Sequence, residues 1–279
     1  MKVVLFCGGQ GMRLRQLNPD SNSMTVNVTE ELPKPMVQIG AQRPLLWHVM
    51  KYYAHYGHTE FILCLGYKGE VIKNYFLNYN EYMSNNFILE KGGKSLRLLS
   101  DDIQDWKITF VDTGLYSNIG ERLRAAQPYL EDDEIFLANY SDGLSDLPHD
   151  VYMEQFLATG KTAGFVCVKP QASTHIVHAS EDGSVESVQN IREASIWING
   201  GYFILRRELF DQMQPGEELV EEPFSRLIAQ KKLYAHKYDG FWACIDTFKE
   251  KQALDEMNAR GQTPWKIWST KPASTPAKA

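Results

Sequence analysis

The chain has 279 residues, of which 43% are apolar and 23% are charged, and 29 basic against 35 acidic side chains give a net charge of −6. This composition is typical of a globular protein and excludes a collagen-like, mostly disordered or small disulfide-stabilised chain. The acidic balance also argues against sequence-independent binding to nucleic acid, which requires a basic surface.

The first half of the chain alternates between short apolar runs, typical of buried strands, and segments with helical periodicity. We predict strands at residues 3–7, 61–65, 108–111 and 134–139, and helices at residues 46–54, 68–77 and 119–130. A polar, turn-rich excursion, with room for short strands, is predicted at residues 78–105. This alternation predicts an α/β fold with a Rossmann-like, mostly parallel sheet flanked by helices.

The second half is less regular and richer in short strands. We predict strands at residues 163–168, 176–179, 185–188, 202–205 and 233–238, and helices at residues 224–230 and 247–260. The turn Glu181-Asp182-Gly183-Ser184 predicts a hairpin between the second and third of these strands. Residues 269–279 are rich in Ser, Thr, Pro, Ala and Lys and are predicted to form a flexible tail, which leaves a single domain at residues 1–268.

Cysteine usage and the apolar runs predict the compartment. The four cysteines form no C-x-x-C pair, and they are interpreted as buried thiols of a reducing compartment. No apolar stretch reaches the roughly 18–20 residues of a membrane span, and the first apolar run lacks the features of a signal peptide. We therefore expect a cytoplasmic protein with neither a membrane nor a nucleic acid as partner.

Two segments carry residues suited to binding phosphate. The first predicted strand runs into Gly8-Gly9-Gln10-Gly11-Met12-Arg13, where glycines allow close approach of the backbone to a phosphate and Arg13 offers a cationic fork. The spacing is neither that of a dinucleotide-binding motif nor that of a P-loop, so a plain turn is the alternative. Lys34 is held between Pro33 and Pro35, and an incidental lysine in a proline-rich loop is the alternative there.

Two aspartates end apolar runs. Asp142 follows the strand predicted at residues 134–139, where ligands bind in open α/β sheets and where a carboxylate could hold Mg²⁺. Asp246 ends the run at residues 241–245. The alternatives are an Asp-Gly turn for Asp142 and a helix N-cap for Asp246. The neighbouring Asp146 is expected to be a helix cap.

In this order along the chain, the motifs resemble the sugar-1-phosphate nucleotidyltransferases, and within them the glucose-1-phosphate cytidylyltransferase group. The resemblance extends from residue 2 to about residue 268. Further segments shared with that family are Trp47-His48, Gly66-Tyr67-Lys68-Gly69, Val111-Asp112-Thr113-Gly114, Ile198-Asn199-Gly200-Gly201, Phe241-Trp242 and Pro264-Trp265-Lys266-Ile267-Trp268.

The resemblance implies a fold of the nucleotide-diphospho-sugar transferase type, with a nucleotide-binding half at about 1–145 and a small, β-rich sugar-binding half at about 146–268. It implies Mg²⁺ as cofactor, an NTP (CTP favoured) and a sugar 1-phosphate as substrates, and a homo-oligomer. The expected product is CDP-glucose. UTP or dTTP as the nucleotide, a modified sugar 1-phosphate, and a non-catalytic nucleotide-binding regulatory protein stay open.

By the same resemblance, Arg13 and Lys34 are the catalytic cations, and Asp142 and Asp246 are the metal ligands. The nucleotide-binding positions are Cys7, Gly8, Gly9, Gln10, Gly11, Met12, Arg13, Lys34, Ser117, Arg122 and Ser141. The positions that bind the sugar phosphate are Lys34, Arg192, Asn199 and Glu222. The acceptor side departs from the family, since Gln189-Asn190-Ile191-Arg192 stands where Glu-Lys-Pro is usual, and an arginine fork differs from the point charge of lysine.

Overall fold

The computed structural model describes residues 1–9, 32–40, 43–100, 102–171 and 174–269. Gln10, Gly11, Met12 and Arg13, and all but the first residue of the predicted tail, therefore lie outside the described residues. Within the described residues, no helix combines the length and the apolar character needed to cross a bilayer.

The described chain folds into strands and helices that follow the predicted order. The strands are β1 (Lys2–Phe6), β2 (Gln38–Ile39), β3 (Arg43–Pro44), β4 (Glu60–Leu65), β5 (Phe87–Glu90), β6 (Ser95–Leu98), β7 (Lys107–Asp112), β8 (Ile135–Tyr140), β9 (Gly143–Ser145), β10 (Ala163–Val168), β11 (His175–Ala179), β12 (Val185–Asn190), β13 (Ile198–Asn199), β14 (Phe203–Arg206), β15 (Leu233–Tyr238) and β16 (Trp242–Cys244). The α-helices are α1 (Leu45–His55), α2 (Gly69–Leu77), α3 (Ile119–Ala126), α4 (His149–Thr159), α5 (Glu222–Ala229) and α6 (Phe248–Ala259).

An eight-stranded mixed sheet forms the centre of the fold. Strand β1 pairs in parallel with β4 and β8, and β7 extends the parallel part beyond β4. Strand β14 pairs antiparallel with β8 and β10, β13 also pairs with β10, and β15 runs parallel to β10. The sheet thus joins strands from both halves of the chain, and the predicted α/β fold class is confirmed.

The alternation of side chains along β1 builds a hydrophobic core on each face of the sheet. Val3 and Leu5 pack with buried side chains of α1, α2, α4 and α6. Val4 and Phe6 pack on the opposite face with buried side chains of α3 and α5. Because both faces are covered, this strand is apolar from Val3 to Phe6, as the sequence pattern predicts.

Although Asp146 was expected to cap a helix, no bounds were predicted for helix α4, because its apolar residues do not form one clean face. Its buried side chains are His149, Tyr152 and Phe156, whereas Val151 and Leu157 are 46% and 45% exposed. Strands β9 and β16 were also not predicted, since each is only three residues long and pairs with a segment distant in sequence. The predicted excursion at residues 78–105 does contain a separate two-stranded sheet, β5–β6, and the predicted hairpin forms another, β11–β12.

Candidate active site

The candidate site lies where β1 and β8 end side by side. The two strands are parallel, with Phe6 opposite Tyr140, so the residues that follow them emerge at the same edge of the sheet. The buried Ser141 hydroxyl donates to the carbonyl of Phe6 at 2.7 Å and fixes the two strand ends to each other. The Gly8-Gly9 turn and Asp142 are therefore neighbours at this edge.

A small ladder brings the second aspartate to the first. Strand β9 directly follows Asp142, strand β16 ends shortly before Asp246, and the two strands pair antiparallel with Gly143 opposite Cys244. The backbone N–H of Ile245 donates to the carbonyl of Asp142 at 3.2 Å, which extends this pairing to Asp142 and to the residue before Asp246. Two residues far apart in the sequence thus flank one short ladder.

Lys34 lies between the two aspartates. Its Nζ donates to Oδ2 of Asp142 at 2.5 Å and to Oδ1 of Asp246 at 2.6 Å, and its side chain is only 14% exposed. Burial by itself lowers the pKa of Lys34, but the two carboxylates outweigh burial, so the net pKa is raised above 10.5. The lysine is therefore a buried, charged residue and not an incidental one in a solvent-exposed loop.

The carboxylate of Asp246 is not used to cap helix α6. Thr247 is the N-cap: its hydroxyl accepts from the backbone N–H of Glu250, and the Glu250 carboxylate accepts from the N–H groups of Thr247 and Asp246. The N-cap alternative for Asp246 was therefore wrong. The helix-cap expectation for Asp146 was wrong as well, because its carboxylate accepts from the Tyr238 hydroxyl and from a backbone N–H at 2.8 Å.

Arg122 lies beneath the first glycine of the turn. It is 3% exposed, and its guanidinium donates to five oxygens: Gly8 O at 3.2 Å, Leu65 O at 3.2 Å, Thr113 Oγ1 at 2.6 Å, Gly114 O at 3.0 Å and Leu115 O at 3.5 Å. Burial lowers the pKa of this guanidinium. A Cβ on Gly8 would lie 2.0 Å from Arg122 Nη1, so any other residue there would displace the guanidinium. Arg122 thus supports the turn from inside.

Two further predicted nucleotide-binding positions, Cys7 and Ser117, are engaged in the framework of the site, whereas Gly9 is not. Cys7 is fully buried, and burial raises the pKa of its thiol. Ser117 donates to the carbonyl of Thr113 at 2.5 Å, next to the loop that Arg122 holds. Gly9 is exposed at the end of the described segment, and a Cβ there would meet nothing within 4 Å.

The predicted acceptor-side residues are spread more widely than the lysine and the aspartates. Asn199 is near the site, since its Nδ2 donates to the Tyr140 hydroxyl at 3.2 Å. Arg192 is exposed and donates through Nε and Nη2 to the carbonyl of Gln171, beside a cleft that Trp242 also lines. Glu222 is exposed at the start of α5, where it accepts from the backbone N–H of Glu218 at 3.2 Å.

The two aspartates are the residues suited to hold a metal. Among the described residues, no group of three or more His, Cys, Asp or Glu side chains is arranged around a metal position. Yet both carboxylates already converge on one cation, the Lys34 ammonium. Mg²⁺ prefers oxygen ligands and is usually bound by one or two carboxylates together with substrate phosphates and water. The donor set of the site therefore fits Mg²⁺.

The sequence analysis assigned no role to two aromatic residues at the site. The Tyr202 hydroxyl donates to the carbonyl of Gly143, and the Trp242 indole N–H donates to the carbonyl of Gly200. Both lie in or beside motifs that the sequence analysis named, but no local pattern indicates which distant carbonyl each side chain reaches.

Comparisons with known proteins identify the fold and the family. No protein-family model matches the chain. The structure is similar to HddC from Yersinia pseudotuberculosis, with a TM-score of 0.62, 20% identity, and coverage of 92% of this chain and 99% of that one. It is also similar to a UDP-glucose pyrophosphorylase complexed with UDP-glucose, with a TM-score of 0.65, 16% identity, and coverage of 93% and 98%. The chain therefore has the fold of these two proteins.

Similarity in sequence shows the family to which the chain belongs. The chain is 36% identical over 272 residues to a probable glucose-1-phosphate cytidylyltransferase of Bacillus subtilis, covering 96% of this chain and 100% of that protein. It is 36% identical over 270 residues to the glucose-1-phosphate cytidylyltransferase of Salmonella typhi, with the same coverage. The chain belongs to the glucose-1-phosphate cytidylyltransferase family, and the resemblance seen in its motifs is confirmed.

Proposed function

We propose that this chain transfers the cytidylyl group of CTP to α-D-glucose 1-phosphate, which forms CDP-glucose and releases pyrophosphate. The observation that carries the proposal is the Lys34 ammonium, held between Asp142 and Asp246 at the edge where β1 and β8 end. Membership of the cytidylyltransferase family supports cytosine as the base and glucose as the sugar.

The reaction joins two polyanions, so positive charge is what the site has to supply. A phosphate oxygen of the sugar 1-phosphate attacks the α-phosphorus of CTP, and the bond from that phosphorus to the bridging oxygen of the β-phosphate breaks. The attacking phosphate is already ionised, so no general base is required. Positioning and charge neutralisation therefore account for the catalysis.

Lys34 is proposed to supply one positive charge at the α-phosphate. Its raised pKa keeps the side chain protonated at neutral pH. In the structure the ammonium pairs with both carboxylates and offsets one of their two negative charges. When the substrates bind, Lys34 exchanges these carboxylates for phosphate oxygens. Arg13, outside the described residues, is proposed to contact the β- and γ-phosphates of the nucleotide.

Asp142 and Asp246 are proposed to hold Mg²⁺. When bound, Mg²⁺ neutralises negative charge on the phosphate oxygens. The aspartates are well suited to hold a cation because both carboxylates already converge on the Lys34 ammonium, and the pairing of β9 with β16 holds the segments that carry them side by side.

The chain is proposed to divide the two substrates between its halves. Residues 1–145 bind the nucleotide through the turn at Gly8 and Gly9 and the positions around it, with Arg122 as its internal support. Residues 146–268 bind the sugar phosphate, with Asn199, Arg192 and Glu222 as the candidate contacts.

All four cysteines, each among the described residues, are free thiols, which supports a cytoplasmic location. Homo-oligomerisation stays a prediction, and measurement of the mass in solution tests it.

A substrate panel tests the proposal. Each NTP is incubated with Mg²⁺ and with each of several sugar 1-phosphates, and the release of pyrophosphate is measured. We expect the highest kcat/KM for CTP with glucose 1-phosphate. A different preferred pair would reassign the base or the sugar, and the departure at Arg192 makes a modified sugar phosphate the first such pair to examine. Binding of nucleotide without release of pyrophosphate from any pair would indicate a regulatory protein.

A further inference from the structure

We infer that Tyr202 is a positioning residue, which ties the loop at residues 199–201 to the metal-binding carboxylate of Asp142. The inference deepens the proposed function and rests on it, since that function makes Asn199 a sugar contact and Asp142 a metal ligand.

The backbone of Tyr202 adopts a conformation that a bulky residue rarely takes. Its φ is +51°, and the preceding Gly201 has a φ of +79°. The surroundings hold this turn in place: the Tyr202 N–H donates to Oδ1 of the buried Asn139 at 2.9 Å, and a Cβ on Gly201 would lie 2.4 Å from that same oxygen. Strained residues of this kind persist where the structure around them fixes them, and they cluster at functional sites.

The turn directs the Tyr202 side chain inward, beneath the site. The residue is 1% exposed, and its ring packs edge-on against Tyr52 at 5.1 Å between centroids. From this position the hydroxyl donates to the carbonyl of Gly143 at 3.2 Å. Gly143 is the residue directly after Asp142. One side chain therefore connects the sugar-facing loop to the backbone that carries a metal ligand.

A second hydrogen bond ties the same loop to the other aspartate. The Trp242 indole N–H donates to the carbonyl of Gly200 at 2.9 Å, and Trp242 begins strand β16, which leads to Asp246. The loop is thus attached to β9 through Tyr202 and to β16 through Trp242. Because β9 and β16 form one ladder, the loop, Asp142 and Asp246 are held as a unit.

Removal of the Tyr202 hydroxyl tests the link with little change of volume. In Tyr202→Phe the loop loses its bond to β9, so we expect two constants to move together: the KM for the sugar 1-phosphate and the Mg²⁺ concentration for half-maximal activity. Each is expected to rise by about 3–10-fold, the range for one lost hydrogen bond. The KM for CTP is expected to stay unchanged.

Two matched variants separate positioning from general loss of stability. Tyr152→Phe removes a fully buried hydroxyl that has no hydrogen-bond partner among the described residues, so no kinetic constant is expected to change. Tyr52→Phe removes a hydroxyl of the same aromatic cluster that donates to the carbonyl of Leu147 at 2.9 Å, farther along the chain from Asp142. It is expected to lower Tm about as much as Tyr202→Phe without the joint rise in the two constants.

The inference is overturned if Tyr202→Phe behaves kinetically like Tyr152→Phe, or if Tyr52→Phe raises the same two constants equally.

A readout that needs no turnover separates this outcome from failure of the proposed function. Binding of Mn²⁺, used as a paramagnetic substitute and followed by electron paramagnetic resonance, is compared in the same variants. If the unsubstituted protein transfers no nucleotide, the proposed function fails. Weaker Mn²⁺ binding by Tyr202→Phe alone would still support the link to Asp142, and equal binding would refute it.

Discussion

Replacement of Lys34 by methionine has two opposite consequences that the geometry allows us to separate. The first is a loss of stability, because Asp142 and Asp246 then face each other without the ammonium between them. Removing one partner of a buried ion pair costs about 3–5 kcal/mol. The two carboxylates are 29% and 39% exposed, so solvent screens part of their repulsion, and we expect a loss of about 1–3 kcal/mol in the free energy of unfolding.

The second consequence is tighter binding of a divalent cation in the absence of nucleotide. In the unsubstituted protein the Lys34 ammonium occupies both carboxylates, so Mg²⁺ has to displace it. Lys34→Met removes this competitor. Mg²⁺ at about 100 times its dissociation constant stabilises a protein by about 2.7 kcal/mol, which is enough to offset the loss of the ion pairs. Turnover is nevertheless expected to fall by about 10²–10³-fold, as when a single group that stabilises transition-state charge is removed.

Thermal unfolding with and without Mg²⁺ measures both consequences, since Tm moves by about 2–4 °C per kcal/mol in domains of 150–250 residues. Lys51→Met is the matched control, because Lys51 also pairs with a buried aspartate, Asp102, with Nζ 2.8 Å from its carbonyl and 3.4 Å from Oδ1. We expect Mg²⁺ to restore the Tm of Lys34→Met and to leave that of Lys51→Met unrestored. Equal responses of the two variants to Mg²⁺ would refute the competition between lysine and metal.

Three further expectations follow from the same site. Asp246→Asn removes one of the two carboxylates, and we expect kcat to fall by about 10²–10³-fold at saturating Mg²⁺ with the fold retained by circular dichroism. The pKa of Lys34 is raised in the folded protein, so its ion pairs stabilise the fold fully below pH 10.5 and less as the pH rises through the folded-state pKa. The difference in the free energy of unfolding between the unsubstituted protein and Lys34→Met, measured with urea, should therefore shrink in alkaline solution. Gly8→Ala places a methyl group 2.0 Å from Arg122 Nη1 and should lower the free energy of unfolding, measured with urea, by about 1–3 kcal/mol. Gly9→Ala, whose methyl group meets nothing within 4 Å, should leave the free energy of unfolding nearly unchanged. Equal losses in the two variants would mean that Arg122 does not fill the space under the turn.

Most elements of the fold could be predicted from local sequence, because burial imposes a period on each segment. The apolar run of β1 and the helical spacing of α1 indicate how each element faces the core, and the structure has both elements within a residue or two of the prediction. Helix α4 escaped prediction because its buried positions include a histidine and its exposed positions include Val151 and Leu157. The elements that pack against this helix decide which of its residues are buried, and hydrophobicity alone does not indicate them.

The sequence by itself determined the fold class and the family, since strand–helix alternation and the order of short motifs are properties of the chain read in one dimension. It also singled out Lys34, Asp142 and Asp246, although each had a plain structural alternative. Only the tertiary structure decided between those readings. In the structure, the Lys34 ammonium contacts both carboxylates, which the pairing of β9 with β16 brings together. Thr247, and not Asp246, is the N-cap of α6. The physical reason is that periodicity reports the burial of a single segment, whereas a contact between distant residues depends on the packing of the whole sheet.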